Sequence, residues 1–367
     1  MTQRSDDYVH MGRALRLAER GWYTTDPNPR VGCVLVRDGE VVGEGWHRRA
    51  GDSHAEILAL QAAGKKARGA DCYITLEPCC HHGRTPPCSE ALIQAGVRRV
   101  VVAMIDPNPR VAGQGLAQLR AAGIETCCGV LEAEARRLNR GFCRRMESGY
   151  PWVTAKLAAS LDGRTALASG ESRWITSAEA RRDVHRLRAA SSAILTGIET
   201  VLADDPALTA RLETEEEVSQ PLRVVLDSAL RMPPTARMLE LPGHTVVATV
   251  TGDAGRRARL EEAGAEVAVL PPDTDGRVDL TALLASLGRR EINQVLVEAG
   301  PRLNGALAEK RLVDDWVVYL APTLLGDAGR GLFHLPGIRT MRNRIDLRLS
   351  EIRRIGPDLR IRLTLQE

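Results

Sequence analysis

This sequence predicts two α/β domains in tandem, and three observations carry that expectation. A chain of 367 residues exceeds what a single hydrophobic core usually supports. Short apolar runs alternate with helix-like stretches, the pattern of layered α/β folds. All eight cysteines fall between Cys33 and Cys143, so the two halves differ in chemistry.

The elements follow in order. Ser5 to Gly21 reads as an amphipathic helix with Tyr8, Met11, Leu15 and Ala18 on one stripe, Ser5 as N-cap and Gly21 as the stop. VGCVLV and VVGEGW, joined at Asp38-Gly39, form a β-hairpin, because Asp-Gly suits the positive φ of a tight turn. HAEILALQAAGKKA is a helix, DCYITL a strand, CSEALIQAG a helix and RRVVVAMI a fully apolar strand of parallel-sheet type. A helix over Gln114 to Ala122 and a short strand complete a three-layer α/β domain. LEAEARRLNRGFCRRMESGYP closes it, which places domains at 1–147 and 151–367. The hexapeptide DPNPRV occurs twice, at Asp26 to Val31 and at Asp106 to Val111. No wider similarity surrounds the copies, so they read as two stiff loops, each holding an Asn between prolines.

Composition excludes several classes. The formal net charge is +3 and aromatic residues are 3% of the chain, which argues against a nucleic-acid binder with a basic, base-stacking groove. No apolar run approaches the ~20 residues that span a bilayer. The first residues lack a signal peptide's apolar core. A soluble cytoplasmic protein is the expectation.

Clustered cysteines in a cytosolic chain point to metal or catalysis rather than disulfides. Cys33, Cys72, Cys127, Cys128 and Cys143 lack ligand spacing and read as small buried hydrophobes. The others belong to two fragments, His54-Ala55-Glu56 at a helix start and TLEPCCHHGRTPPC from Thr75 to Cys88. H-x-E followed by Pro-Cys and a further cysteine is the pattern of zinc deaminases. His54, Cys79 and Cys88 are the expected zinc ligands, leaving one position for water. Glu56 is the expected proton shuttle. Eight residues separate Cys79 from Cys88, against two in that pattern, and Pro87-Cys88 looks like a helix start that brings the second cysteine back. A structural site would need a fourth ligand, which Cys80, His81 or His82 could supply. Cys79 is favoured over Cys80 because it directly follows the proline.

The second half reads independently. YPWVTAKLAASLDGRTALASGESRWITS is a strand, a turn and a polar loop; AEARRDVHRLRAASS is an arginine-rich helix and AILTG a strand. ETEEE is a solvated connection. RVVLDS, TVVATV and EVAVLP are short strands. NQVLVEAGPRLNGALAEKRL is a strand, a glycine turn and a helix, a unit whose free amides suit a phosphate. No G-x-G-x-x-G is present, so a standard Rossmann domain is not expected.

DPNPRVGCVLV, HAE and TLEPC with HHGRTPPC resemble the deaminase domain of the bifunctional riboflavin-biosynthesis deaminase–reductases. Cys80 departs from the serine expected there. AKLAASLDGRTA, SGESRWIT, ARRDVHRLRA, TVLADDPALTAR and LVEAGPRL resemble the same family's reductase domain. The resemblance implies a cytidine-deaminase-like domain followed by a dihydrofolate-reductase-like α/β domain, with Zn2+ and NADPH as cofactors. It implies NADP contacts at Ala158, Trp174, Thr200, Asp204 and Ser228. Gly300, Pro301, Arg302, Leu303, Asn304, Gly305 and Ala306 would hold the cofactor phosphates. Ser172, Arg188, Leu208, Arg211 and Glu298 would surround the substrate. Lys156 and Glu298, if they converge, suit a ribose carbonyl and its proton, and Arg188 and Arg211 suit a phosphate. Asn28 is a candidate reader of the pyrimidine or ribose, and Asn108 is a candidate for the same pocket. The implied partner is a phosphorylated pyrimidine, not a nucleic acid or a membrane. A homo-oligomer is left open.

Overall fold

The computed structural model describes residues 5–80, 87–213 and 218–366. It divides into two compact units, residues 1–149 and 150–367, each with its own main sheet.

In the first unit, helix α1 (Ser5–Glu19) precedes a hairpin of β1 (Gly32–Arg37) and β2 (Glu40–Trp46). Asp38 and Gly39 turn it, both at positive φ. Then α2 (Ala55–Ala63), β3 (Asp71–Ile74), α3 (Cys88–Ala95), β4 (Arg99–Val102), α4 (Gln114–Ala121) and β5 (Glu125–Cys128) alternate. Helices α5 (Glu132–Leu138) and α6 (Arg140–Ser148) close the unit. The sheet order is β2-β1-β3-β4-β5. β1 runs antiparallel to both neighbours, whereas β3, β4 and β5 are parallel. Alternation along β1 splits the core into two faces. Cys33 and Leu35 pack with α2, α3 and α4, while Val34 and Val36 pack with α1, α5 and α6.

The stripe expected on α1 needs one correction. Tyr8 is 46% exposed and Asp7 is buried. The Asp7 carboxylate accepts both guanidinium nitrogens of buried Arg99, at 2.7 and 3.0 Å, and the Tyr73 hydroxyl at 3.1 Å. A paired charge can occupy a core position, and residue-type patterning reads it as surface. Cys33, Cys72, Cys127 and Cys143 are buried as expected, but Cys128 is only half-buried.

The second unit comprises β6 (Trp152–Ser160), β7 (Arg164–Ala166), α7 (Ala178–Ala189), β8 (Ala193–Gly197), α8 (Ile198–Asp204), β9 (Leu222–Leu226) and β10 (Thr245–Thr249). There follow α9 (Ala254–Glu262), β11 (Glu266–Val269), α10 (Leu280–Arg289), β12 (Gln294–Val297), α11 (Pro301–Glu309) and β13 (Asp315–Ala321). The last strands are β14 (Arg330–Gly331), β15 (Leu347–Ile355) and β16 (Asp358–Leu365). The nine-stranded sheet has the order β11-β10-β9-β8-β12-β6-β13-β16-β15. It is parallel from β11 through β13 and antiparallel beyond. Leucines of α10 and α11 cover one face, and α8 and α9 the other. Residues of α7 pack on Val317 and Tyr319 of β13. Among the described residues no helix is long and apolar enough to cross a membrane. Residues 214–217 of the acidic loop lie outside the described residues.

Candidate active sites

In the first unit the functional residues gather at the starts of two helices. His54 is the N-cap of α2, with φ −69° and ψ 160°, and its side chain makes no cap bond. The ring is thereby free to turn away from the helix. α2 lies directly on β2, because a Cβ on Gly45 would stand 2.3 Å from the Ala55 carbonyl oxygen. Opposite, α3 opens at Cys88 behind Pro87, as the spacing of the cysteines requires. The Cys88 amide donates to Cys79 Sγ at 3.3 Å and the Ser89 amide to the Cys79 carbonyl at 3.2 Å. His54 Nδ1 lies 3.2 Å from Cys88 Sγ and 3.6 Å from Cys79 Sγ.

The three ligand atoms lie within 4.8 Å of one another. One imidazole and two thiols fit zinc, and among the described residues three donors leave a coordination position open. Cys80 is not in this cluster; its sulfur turns to Gln114 Oε1 at 4.0 Å. His81 and His82 lie outside the described residues. The Cys79 thiol is held down at about 4 by the Cys88 thiol and the His54 ring, against burial. Cys88 is pushed up by the hydrogen bond it shares with Cys79 and by burial. Glu56 is 4% exposed, and burial raises its carboxyl above the usual value. A raised carboxyl beside such a centre suits taking up and handing on a proton.

The two DPNPRV loops differ. Asn28 Nδ2 lies 3.0 Å from His47 Nε2, and His47 Nδ1 lies 3.2 Å from the Ser53 carbonyl. The carbonyl can only accept, so Nδ1 carries the proton and Nε2 accepts from Asn28. That bond turns the Asn28 carbonyl oxygen outward from His47. The His47 ring also stands edge-on to His54 with centroids 5.6 Å apart. In the second loop Asn108 bonds its own turn: its amide donates to Asp106 Oδ1 at 2.8 Å, and its Oδ1 accepts from the Arg110 amide at 3.1 Å. The sequence reading passed over His47 and Glu77. Their only signal was position, His47 at the end of a strand and Glu77 just before the metal loop.

In the second unit Glu298, just past β12, meets two cations. The Arg188 guanidinium from α7 grips its carboxylate, with Nη2 to Oε2 at 2.9 Å, and Nη1 also reaches the Thr209 carbonyl at 3.2 Å. Lys156 Nζ from β6 lies 4.0 Å from Glu298 Oε2. Burial alone would raise the Glu298 carboxyl, but Arg188 and then Lys156 hold it down at about 2. Burial lowers the Lys156 ammonium. Arg211 donates to His185 Nε2 at 3.3 Å and is otherwise exposed. The Leu208 side chain lies in the core, with its backbone at a φ of 46°.

The remaining candidates sit mainly at the C-terminal ends of β8, β9 and β12, which are neighbours in the sheet and parallel. Thr200 and Asp204 lie on α8 after β8, Ser228 follows β9, and Gly300 caps α11 after β12. Ligands of open α/β sheets bind at such ends. A cleft of about 430 Å³ lies between Gly170–Arg173 and Leu202–Asp205, with Ser172 and Asp204 both in its lining. Trp174 is 71% exposed, with the Arg181 guanidinium 4.5 Å from its ring centre. The Ser228 hydroxyl accepts from the Val278 amide at 3.1 Å. Ala158 packs against the α7 cluster. Of the stretch after Gly300, Arg302 is exposed and Pro301, Leu303 and Ala306 are half-buried. Asn304 and Gly305 are buried, with Asn304 donating back to the Ala299 carbonyl at 3.0 Å.

Residues 4–104 match the cytidine and deoxycytidylate deaminase zinc-binding region, and residues 151–361 match the RibD C-terminal domain. The riboflavin biosynthesis protein RibD of Escherichia coli is 52% identical, with 97% of this chain and 99% of that protein aligned. This chain belongs to the RibD family. The family is that of bifunctional deaminase–reductases of riboflavin biosynthesis, with a zinc-binding deaminase domain and an NADPH-dependent reductase domain. Its Aquifex aeolicus counterpart is 41% identical, over 97% of this chain and 98% of that one. Among solved structures, Acinetobacter baumannii RibD is 45% identical with a TM-score of 0.92, covering 98% of this chain and 99% of that chain. A Thermotoga maritima diaminohydroxyphosphoribosylaminopyrimidine deaminase and 5-amino-6-(5-phosphoribosylamino)uracil reductase is 33% identical, with a TM-score of 0.86 and the same coverage. The RibD fold thus accounts for both units, the cytidine-deaminase-like one and the reductase.

Proposed function

We propose that this chain removes the amino group of diaminohydroxyphosphoribosylaminopyrimidine by hydrolysis and then reduces the ribosyl group of the resulting uracil to a ribityl chain. The observation that carries the first step is the convergence of His54, Cys79 and Cys88 beside buried Glu56. His54, Cys79 and Cys88 would hold zinc, which when bound would supply an activated water for attack on the amidine carbon. Glu56 takes the water's proton and delivers it to the departing amine, which leaves as ammonia. Asn28, oriented by His47, offers its carbonyl oxygen to a donor of the pyrimidine or ribose.

For the second step NADPH, when bound, would supply the hydride. Lys156 and Glu298 face the opened ribosyl C1, where Lys156 supplies a proton and Glu298 keeps it charged. Arg188 is committed to Glu298 and Thr209, so its part is to hold the carboxylate, and the phosphate anchor falls to Arg211. The backbone amides of Gly300, Arg302 and Leu303, Pro301 having none, face the cofactor phosphates from the start of α11. The partner is therefore a small phosphorylated pyrimidine rather than a nucleic acid, and the setting we assign is the cytoplasm.

Glu56→Gln tests the first step. Ammonia release should fall at least ~10³-fold while zinc content and NADPH oxidation on the deaminated substrate persist. Asn28→Ala should instead raise the deaminase KM. Retained ammonia release in Glu56→Gln, or release from a zinc-free chain, would remove the assignment.

A further inference from the structure

One buried carboxylate near the deaminase centre has no part in the chemistry above. Glu77 is 3% exposed and precedes the ligand Cys79 by two positions. Its Oε2 accepts from the Asp106 amide at 3.2 Å and the Gly113 amide at 2.8 Å, and its Oε1 accepts from the Leu116 amide at 3.1 Å. Its own amide donates to the Met104 carbonyl at 3.0 Å. Those partners bracket the second DPNPRV loop, from the end of β4 to the first turn of α4. The residue thus joins the loop after β3 to the loop after β4, and parallel neighbours send both out at the same end of the sheet.

The second loop is stiff by itself. Besides the two bonds that Asn108 makes with Asp106 and Arg110, the Val111 and Ala112 amides donate to its carbonyl at 2.8 and 3.0 Å. Stiffness fixes shape but not placement. Placement comes from Glu77, and contact at the base is close: a Cβ on Gly115 would stand 2.2 Å from the Pro78 carbonyl oxygen. On the α4 side Gln118 Nε2 donates to the Cys80 carbonyl at 3.4 Å and Ser89 Oγ donates to Gln118 Oε1 at 2.7 Å.

We propose that Glu77 is a positioning residue of the deaminase: it sets the Asp106–Val111 loop against the metal loop, so that the second loop forms a wall of the substrate pocket. This rests on the deaminase reading above. Glu77 touches neither metal ligand atoms nor reacting atoms in this arrangement, so its loss acts on substrate placement. A buried carboxylate that accepts three amides cannot be replaced by an amide of the same shape, because whichever way the amide turns, its –NH2 group faces a backbone donor, either Leu116 or the Asp106 and Gly113 pair.

The test uses full-length Glu77→Gln and Glu77→Asp. The parent's ammonia release shows first that the deaminase reading holds. Absence of it there would remove that reading and this proposal with it, whereas a failure confined to the Glu77 variants removes this proposal alone. In Glu77→Gln the deaminase KM should rise about tenfold with kcat within about threefold. Zinc should stay at the parent's level, and NADPH oxidation on the deaminated substrate should not change. Glu77→Asp keeps the acceptors on a shorter stem, and its KM should fall between the two. An unchanged KM in both variants overturns the proposal. So does a loss of zinc that accounts for the lost activity, because Glu77 would then only shape the metal loop. Should Glu77→Gln fail to fold, the KM of Glu77→Asp decides alone.

Discussion

Glu298 shows what a single residue contributes when two cations enclose it. In the folded chain Arg188 and Lys156 hold its carboxyl at about 2, against an ordinary value of 4.5. A depressed carboxyl stabilises the fold fully above the unfolded value and loses that contribution as pH falls through the folded one. The melting temperature of the second unit should therefore drop more steeply between pH 4.5 and 2 in the parent than in Glu298→Gln. At pH 6 the variant should melt lower, since removing one partner of a buried pair costs ~3–5 kcal/mol. Parallel melting curves over the acid range would show that the carboxyl is not depressed. Residue types and spacing made the cluster of His54, Cys79 and Cys88, and the buried Glu56, legible from the sequence alone. His47 and Glu77 were not, because one acts through an Asn and the other through backbone amides, and neither contact has a sequence signature. Arg188 was ambiguous for a related reason: it stands among Arg181, Arg182 and Arg186, and only the fold of α7 shows which one turns inward.

At the scale of elements, the site residues depend on how closely helices approach strands and loops. α11 is the clearest case in the second unit. A Cβ on Gly305 would stand 2.0 Å from the His334 carbonyl oxygen, and the His334 amide donates to the Pro301 carbonyl at 3.0 Å. Gly305→Ala should push the helix start and this loop apart, at a cost of ~1–3 kcal/mol. The second unit should then melt several degrees lower and bind NADPH more weakly, as thermal melts and cofactor titration will show. An unchanged melt would mean that the contact is not tight. Strong turn chemistry made the β1–β2 hairpin legible, and unbroken apolar runs did the same for β4. The β15–β16 hairpin was not read, because most of β15 is exposed and shows no alternation between a wet and a dry face.

For the whole molecule, chemistry is partitioned between two units that fold around separate sheets. The partition was visible in the distribution of cysteines, and the resemblance of both halves to one family gave the order of the activities. Where the second unit places its sheet edges and which loops meet depends on long-range strand pairing, which local patterns do not encode. Chain order and chemical order agree, since the first unit makes what the second consumes.

The cysteine distribution also makes the enzyme fail unevenly. Its second half has no thiol to lose, while the first depends on two, one of them readily ionised. After brief chelation, iodoacetamide and restoration of zinc, ammonia release should stay abolished, whereas a chelated and restored control recovers it and NADPH oxidation on the deaminated substrate stays intact; a parallel loss of both would refute that separation. Air and peroxide should do the same more slowly. A preparation therefore carries a record of its own ageing: the ratio of its two rates, the second unchanged and the first in decline, reads out how much oxidation it has met in storage.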